Sequence, residues 1–419
     1  MNAPGALRVL VIGAGVGGLS VARALMRDGH DVTVVERRPD MRPGGGSVTI
    51  WPTGSTVLAQ LGVEMEGAGQ LLSAAHIASS TGRNLMTIDL ASVADRLGGA
   101  VRQVPRRVLL DRLLDGLPSD RIRCRARAVG VTDTATGMRV HFDGGDTADA
   151  DVVIGADGLH SMVRDVVGGR TVKPTGWCSW QGMRKLPGVV EQDVAVQLLG
   201  AGGNVGLWPA GGSDVQWWFE MPWSRDFVRP GRPIAMIRSN FGGWSDAVDR
   251  VLEELTDDDL AESPFPHFRH PVPRAGRRGA VTLLGDAAHT MPPVLAQGTN
   301  QALLDTMVLR KALSSASNVS VTARKADVCA ALRRYERTRR RRLTSVSWLT
   351  SRQQAQSEAV LRLAARIPDS LATWAMTTFL QMTSHRDIAA ALSHAPASNR
   401  SLSAPTVVDA RGRRDRSRS

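Results

Sequence analysis

The feature that most limits what this chain can fold into lies near its start, in LRVLVIGAGVGGLSVARALMRDGHDVTVVERRP, residues 7–39. Leu7 to Ile12 are almost wholly apolar, as a strand buried on both faces must be. The run then breaks into Gly13, Ala14, Gly15, Val16, Gly17 and Gly18, which places glycines in a GxGxxG pattern ahead of a helical segment and a second strand. In such a turn Gly13 permits the sharp bend, Gly15 lets a pyrophosphate approach the backbone, and Gly18 lets the helix pack close to the sheet. The free amides opening the helix face the anion. Glu36, with Arg37 after it, ends the second strand 18 residues beyond Gly18, where an acid can bind ribose hydroxyls. A unit of this kind binds a dinucleotide, but it does not choose between NAD and FAD.

Two later stretches narrow the choice. ADVVIGADGLHSMVR (150–164) reads as a strand ending at Asp157 and Gly158, with Ser161 and Arg164 after the turn. LLGDAAHTMPPVLAQGTNQALLD (283–305) reads as a strand ending in Gly285 and Asp286, a turn stiffened by Pro292 and Pro293, and a helix opening at Gly298, Thr299 and Asn300. Together with VPRRVLLDRLL, these stretches resemble the FAD-dependent monooxygenases of the p-hydroxybenzoate hydroxylase superfamily, particularly urate hydroxylases and tetracycline-inactivating monooxygenases. The resemblance runs from about residue 7 to 345. In VPRRVLLDRLL, Arg107, Leu110 and Leu114 fit that family's Arg-x-x-Leu-x-x-x-Leu helix, which implies a cofactor contact for Arg107.

The physics of a long cofactor agrees. One glycine turn can hold only the ADP half of FAD, so the ring end needs other contacts. Asp286 at a strand end can accept hydrogen bonds from ribityl hydroxyls. The helix opening near Gly298 can aim its positive end at the edge of the ring that gains negative charge on reduction. The chain departs from the family pattern in having Ala296 in place of the usual Gly and Leu304 in place of a common Glu. His289 is expected to serve the turn rather than proton transfer.

Residues 170–270 change character. Strand-like runs such as DVAVQLL, VGLWPA and DVQWWFEMPW alternate with glycine turns, which predicts an antiparallel sheet. LGAGGNVG (199–206) imitates a second nucleotide turn, but the segment after it has no helical period, so a hairpin is expected. Without a separate nicotinamide domain, the resemblance implies that NADPH or NADH docks transiently. Seven of the ten tryptophans lie here, which suits a flat ring ligand. Trp180, Trp208, Trp217 and Trp218, with Gln181 and Pro292, are candidate substrate contacts, and alternation allows at most one of Trp217 and Trp218 to line the pocket. Gln181 stands where family members commonly carry Arg, which weakens the case for an anionic substrate. No acid–base pair is mandatory; Gln181 and Arg184 are candidate polar partners. A halogenase is disfavoured because WCSWQGM lacks the Trp-x-Trp-x-Ile-Pro spacing.

The formal charge of +12 raises nucleic acid as a partner, but the basic residues are nearly all Arg, scattered through every segment, and no nucleic-acid motif accompanies them. Cys124, Cys178 and Cys329 form no metal or disulfide pattern. No apolar run reaches the ~20 residues of a membrane span. LATWAMTTFLQM (371–382) comes nearest and is expected to be a core or interface helix.

The expectation is an α/β flavoprotein with a Rossmann-like FAD-binding domain discontinuous in sequence (1–72, 105–170 and 275–345). A β-sheet substrate domain (73–104 and 171–274), C-terminal helices (346–395) and a disordered basic tail (396–419) complete it. The stretch 328–367, with helical spacing of Leu, Val and Trp among charges, is expected to form a long helix packed along the sheet domain. The expected protein is cytoplasmic, a monomer or weak homodimer, and binds no metal. Its expected reaction is insertion of one atom of O2, through a C4a-hydroperoxide, into an aromatic or polycyclic substrate. The alternatives are a non-oxygenating FAD reductase or oxidase, or a non-catalytic flavin-binding protein.

Overall fold

The structure, a computed structural model, describes residues 5–41, 45–169, 171–270, 279–314, 321–350 and 363–384. Its first layer is a five-stranded parallel sheet in the order Val281–Leu283, Val152–Gly155, Arg8–Ile12, Asp31–Val35, Ile122–Arg123. Val9, Leu10, Val11 and Ile12 are all buried, as a central strand covered on both faces requires. Neighbouring parallel strands deliver their C-terminal turns to one edge. The glycine turn after Ile12, the Ala156–Asp157 turn and the Leu284–Asp286 turn therefore emerge side by side, although they are far apart in sequence.

The helices Val16–Arg27 and Gln297–Leu313 pack against each other and against this sheet. The long helix Val321–Thr350 packs along Gln297–Leu313, with Val328, Ala331, Leu332 and Tyr335 in the same core. Its expected place along the other sheet is therefore corrected. The deciding contacts are the Tyr335 hydroxyl donating to the Leu283 carbonyl at 3.0 Å and the buried Arg339 reaching Asp305.

The second layer is a seven-stranded sheet in the order Phe265–Arg269, Lys173–Lys185, Asp214–Pro222, Gly203–Gly211, Val194–Gly200, Ala74–Ser79, Asn84–Asp89. It is mixed rather than purely antiparallel, because Val194–Gly200 runs parallel to Ala74–Ser79. Those two strands come from distant segments, and no hairpin sets their direction. Residues 199–206 form the expected hairpin. Two helices that the sequence pattern does not predict, Pro233–Phe241 and Asp246–Glu254, cover one face of this sheet. Ile234, Ile237, Phe241, Val248 and Val251 pack there against Val205, Leu207, Trp217 and Phe219. The helix Asp369–Thr383 docks on Asn84–Asp89, where Asp369 accepts from Thr87 N at 2.8 Å and Thr373 from Asp89 N at 3.0 Å. It buries Ala372 and Leu380 and exposes Trp374 and Met382. The tail at 396–419 lies outside the described residues. Among the described residues, no helix is long and apolar enough to cross a membrane and no His, Cys, Asp and Glu cluster could hold a metal.

One buried polar cluster ties the first layer together. Asp305, on Gln297–Leu313, accepts from Arg339 Nε at 2.5 Å, lies 2.5 Å from His289 Nε2, and accepts from Gly285 N at 2.9 Å. Burial pushes the Asp305 carboxyl up. The charges of His289 and Arg339, with the hydrogen bonds from His289 and Gly285, outweigh it and hold the group down at about 2. This stabilisation is present above the ordinary carboxylate range and is lost as pH falls toward 2. Asp305→Ala leaves Arg339 buried without its counter-charge, so urea unfolding should show a loss of roughly 3–5 kcal/mol at neutral pH. The stability of the variant should also depend less on pH below about 4 than that of the wild type.

Candidate active site

The three turns at the edge of the parallel sheet enclose an elongated cleft of about 700 Å3. Gly13 has φ +107°, a conformation only glycine adopts without strain, and a Cβ there would strike the Ala156 carbonyl. A Cβ on Gly18 would strike the carbonyl of Gly13, so the helix crosses the turn as closely as the sequence predicts. A Cβ on Gly15 would meet nothing within 4 Å, because that position opens onto the cleft. Gly15 is also the N-cap of Val16–Arg27, with no side-chain cap and no acid in the first turn, which leaves its amides for an external anion.

Glu36 accepts from Ala14 N at 2.9 Å through one oxygen and from Arg38 N at 3.0 Å through the other, which fastens the glycine turn to the next strand end. Asp157 accepts from Val163 N at 3.2 Å through Oδ2, while its buried Oδ1 has no partner among the described residues. Burial, the largest influence, raises its pKa against several hydrogen bonds that lower it. Arg164, itself buried, donates to Leu159 O at 2.6 Å and Ala287 O at 3.3 Å and joins the second turn to the third.

A second cavity, of about 360 Å3, lies between this cleft and the seven-stranded sheet. Arg106, Asp286, Gly298 and Thr299 line both spaces, so the two meet at the start of Gln297–Leu313. Period-two alternation divides the sheet. Trp217 and Phe219 face the helices, while Gln216, Trp218 and Glu220 face the cavity. On the paired strand Trp180 is core, and Ser179 and Gln181 face the cavity. Gly206 lies opposite Trp218 in register, and a Cβ there would run into the indole.

Of the residues expected at the cofactor, Gly13, Ala14, Gly15, Val16, Gly17, Glu36, Arg37, Asp157, Gly285, Asp286, Gly298 and Thr299 line the cleft. Gly18 acts through packing, and Pro293 lines the second cavity instead. Asn300 lines neither; its amide accepts from Trp51 N at 2.9 Å and donates to Thr49 O at 2.9 Å, pinning the loop after Ser47–Ile50. Arg107 is exposed and lines neither space, whereas Arg106 lines both. The repeated leucines allow two helical phases; Leu109, Leu110 and Leu113 are all fully buried and Leu110 also lines the cleft, so it is the arginine, Arg106 rather than Arg107, that sets the two phases apart.

Trp208, Trp218 and Gln181 line the second cavity; Trp180, Trp217 and Pro292 do not. Arg184 is held by Asp259 at 2.7 Å and also lies away from the cavity. Glu220, Gln216 and Met376 are lining residues that the sequence reading does not find. Strand alternation from Trp218 could have found the first two, but nothing local marks Met376. Ala296 has φ +48°, which explains why glycine is usual there and costs an alanine roughly 1 kcal/mol.

The cleft fits a long dinucleotide in having an open glycine turn and uncapped helix amides at one end and an acid and a second helix start at the other. A profile of the FAD binding domain family matches residues 6–350. The chain belongs to this family. FAD-dependent urate hydroxylase of Klebsiella pneumoniae is 31% identical over 80% of this chain and 86% of its own length. The 3-amino-4-hydroxybenzoate 2-monooxygenase of Streptomyces cremeus is 33% identical over 72% of this chain and 77% of its own. The crystal structure of Klebsiella pneumoniae HpxO complexed with FAD and uric acid superposes with a TM-score of 0.81 at 25% identity, covering 91% of this chain and 98% of that one. This FAD-dependent monooxygenase thus shares both the sequence pattern and the two-layer architecture of its relatives.

The two arginines give a direct test of the helix phase. Arg106→Ala should lower the flavin content of the purified monooxygenase or weaken its ligand binding, measured by flavin absorbance. Arg107→Ala should behave as the wild type in both.

Proposed function

We propose that this monooxygenase uses NADPH or NADH and O2 to place one oxygen atom on an aromatic or polycyclic small molecule. The observation that carries this reading is the junction of the two cavities at Arg106, Asp286, Gly298 and Thr299, which sets a ring-sized space directly beside the distal end of the cofactor cleft. In the overall balance a hydride from the nicotinamide and a proton are consumed. One oxygen atom joins the substrate and the other leaves as water.

Bound FAD supplies the electron transfer and the activation of O2. The chain supplies position and electrostatics. Gly13–Gly18 and the amides opening Val16–Arg27 receive the pyrophosphate, and Glu36 marks the adenosine end. Asp157 and Asp286, which line the cleft, would accept hydrogen bonds from the cofactor's hydroxyls. The positive end of Gln297–Leu313 at Gly298 and Thr299 would stabilise negative charge on a flavin ring held there. Trp208 and Trp218, whose ring centroids are 5.7 Å apart, form an apolar wall for a flat substrate and keep water from the reacting atoms. With residues 199–206 in a hairpin, the nicotinamide docks transiently rather than in a second Rossmann unit.

Asp286→Ala should yield protein that purifies without the yellow colour of the wild type. A screen of aromatic and polycyclic compounds against wild-type holoenzyme should find ones that stimulate NADPH oxidation, and isotope-labelled O2 should then appear in the product. Stimulated oxidation with hydrogen peroxide as the sole fate of the oxygen would defeat the monooxygenation step.

A further inference from the structure

The substrate-side cavity has an acidic group at its sheet wall, on a residue that does not line the cofactor cleft. Glu220, on Asp214–Pro222, is 5% exposed and lines the cavity. Its Oε2 accepts from Asn204 Nδ2 at 3.1 Å. Among the described residues, its Oε1 receives no hydrogen bond, and His267 Nε2 lies 4.0 Å away. That histidine nitrogen is 2.5 Å from the Ser179 hydroxyl, and Ser179 is also in the cavity wall. The other ionisable residues in the described lining are Arg106 and Asp286, both at the flavin junction, so no cation in the sheet wall compensates Glu220. Gln181, Gln197 and Gln216 supply the neighbouring polarity. A buried carboxylate with one oxygen unbound is costly unless something else donates to it.

We propose that Glu220 is a specificity-determining residue that accepts a hydrogen bond from an N–H or O–H group on the ring substrate. It thereby selects uncharged donor-bearing rings and rejects ring carboxylates. This rests on the reading of the cavity as the substrate site of the monooxygenase, and it narrows the substrate class. An acceptor ether in the same place leaves the carboxylate unpaired, and a carboxylate repels it.

The titratable groups nearest Glu220 are His267 from Phe265–Arg269 and Cys178 from Lys173–Lys185, and its in-register neighbours are the uncharged Ser179 and Asn204. Burial holds His267 down at about 4, so it is neutral near pH 7. Burial first, and then the Glu220 charge, push the Cys178 thiol up to about 12. Burial also raises Glu220, against the Asn204 hydrogen bond, to about 7. Of these neighbours, only Glu220 changes charge between pH 6 and 8. Its accepting, ionised form predominates above that range's midpoint, so donor-bearing rings should bind more tightly as pH rises.

The test uses the FAD-loaded full chain and three probes of similar shape: 2-naphthol, 2-methoxynaphthalene and 2-naphthoate. Binding is followed by perturbation of the flavin spectrum. At pH 8 wild-type protein should bind 2-naphthol roughly tenfold or more tightly than either of the others. That preference should shrink at pH 6. Glu220→Gln, which keeps the side-chain shape, should retain FAD while losing both the preference and its pH dependence. If the variant folds poorly, the wild-type comparison across probes and pH still decides. A yellow wild-type protein that binds all three rings equally, binds none, or shows no pH dependence would overturn the assignment, as would a preference that survives in Glu220→Gln. Monooxygenation itself would be untouched by that result, because product labelling from isotope-labelled O2 tests it separately.

Discussion

The active-site edge depends on the buried contact of Asp305 with Arg339, His289 and the Gly285 amide. These groups come from a helix, a second helix and the turn between strand and site, and none can be hydrated where it lies. Each charge is tolerable only because the others are present. The consequence is geometric. Gly285 and Asp286 are fixed relative to the start of Gln297–Leu313, so a carboxylate and a helix terminus hold a constant separation beside the cofactor cleft.

A second division of labour runs through the seven-stranded sheet. One face is sealed by two helices and is almost purely apolar, while the other mixes indoles with amides and one acid. A strand reverses its side chains at each residue, so Trp217 can anchor the fold while its neighbour Trp218 faces the cavity. Gly206 and Gly182 lie opposite these two indoles and leave room for them. The polar side of the sheet is thus carried by an apolar side that tolerates little displacement.

Much of the flavin end was legible in the sequence because it is made from backbone. Turns that need glycine, strand ends that place an acid and helix starts without caps leave local signatures at fixed spacing. The helical phase of Arg106 was not legible, since VLLDRLL satisfies two registers, Leu109 and Leu110 are equally buried, and only the direction of the helix relative to the cleft separates the two arginines. Asn300 looked like part of the cofactor site because it opens the right helix, yet its amide is consumed by Trp51 and Thr49. The direction of Val194–Gly200 and the two covering helices depend on contacts across the chain, which no short window contains. Alternation allows only one of Trp217 and Trp218 on the cavity face, but without the sheet's orientation it could not say which.

Met376 lines the second cavity from the helix Asp369–Thr383, which lies beyond the region matched by the family profile. That helix is attached mainly to Asn84–Asp89 and Leu90–Leu97, through Thr87, Asp89 and a small apolar patch, and only its margin meets Val321–Thr350. One wall of the chamber can therefore be lengthened, shortened or recoloured by mutation in an appendage, while the redox scaffold is left alone. A fold arranged in this way can diversify the molecules it accepts without renegotiating how it holds its prosthetic group.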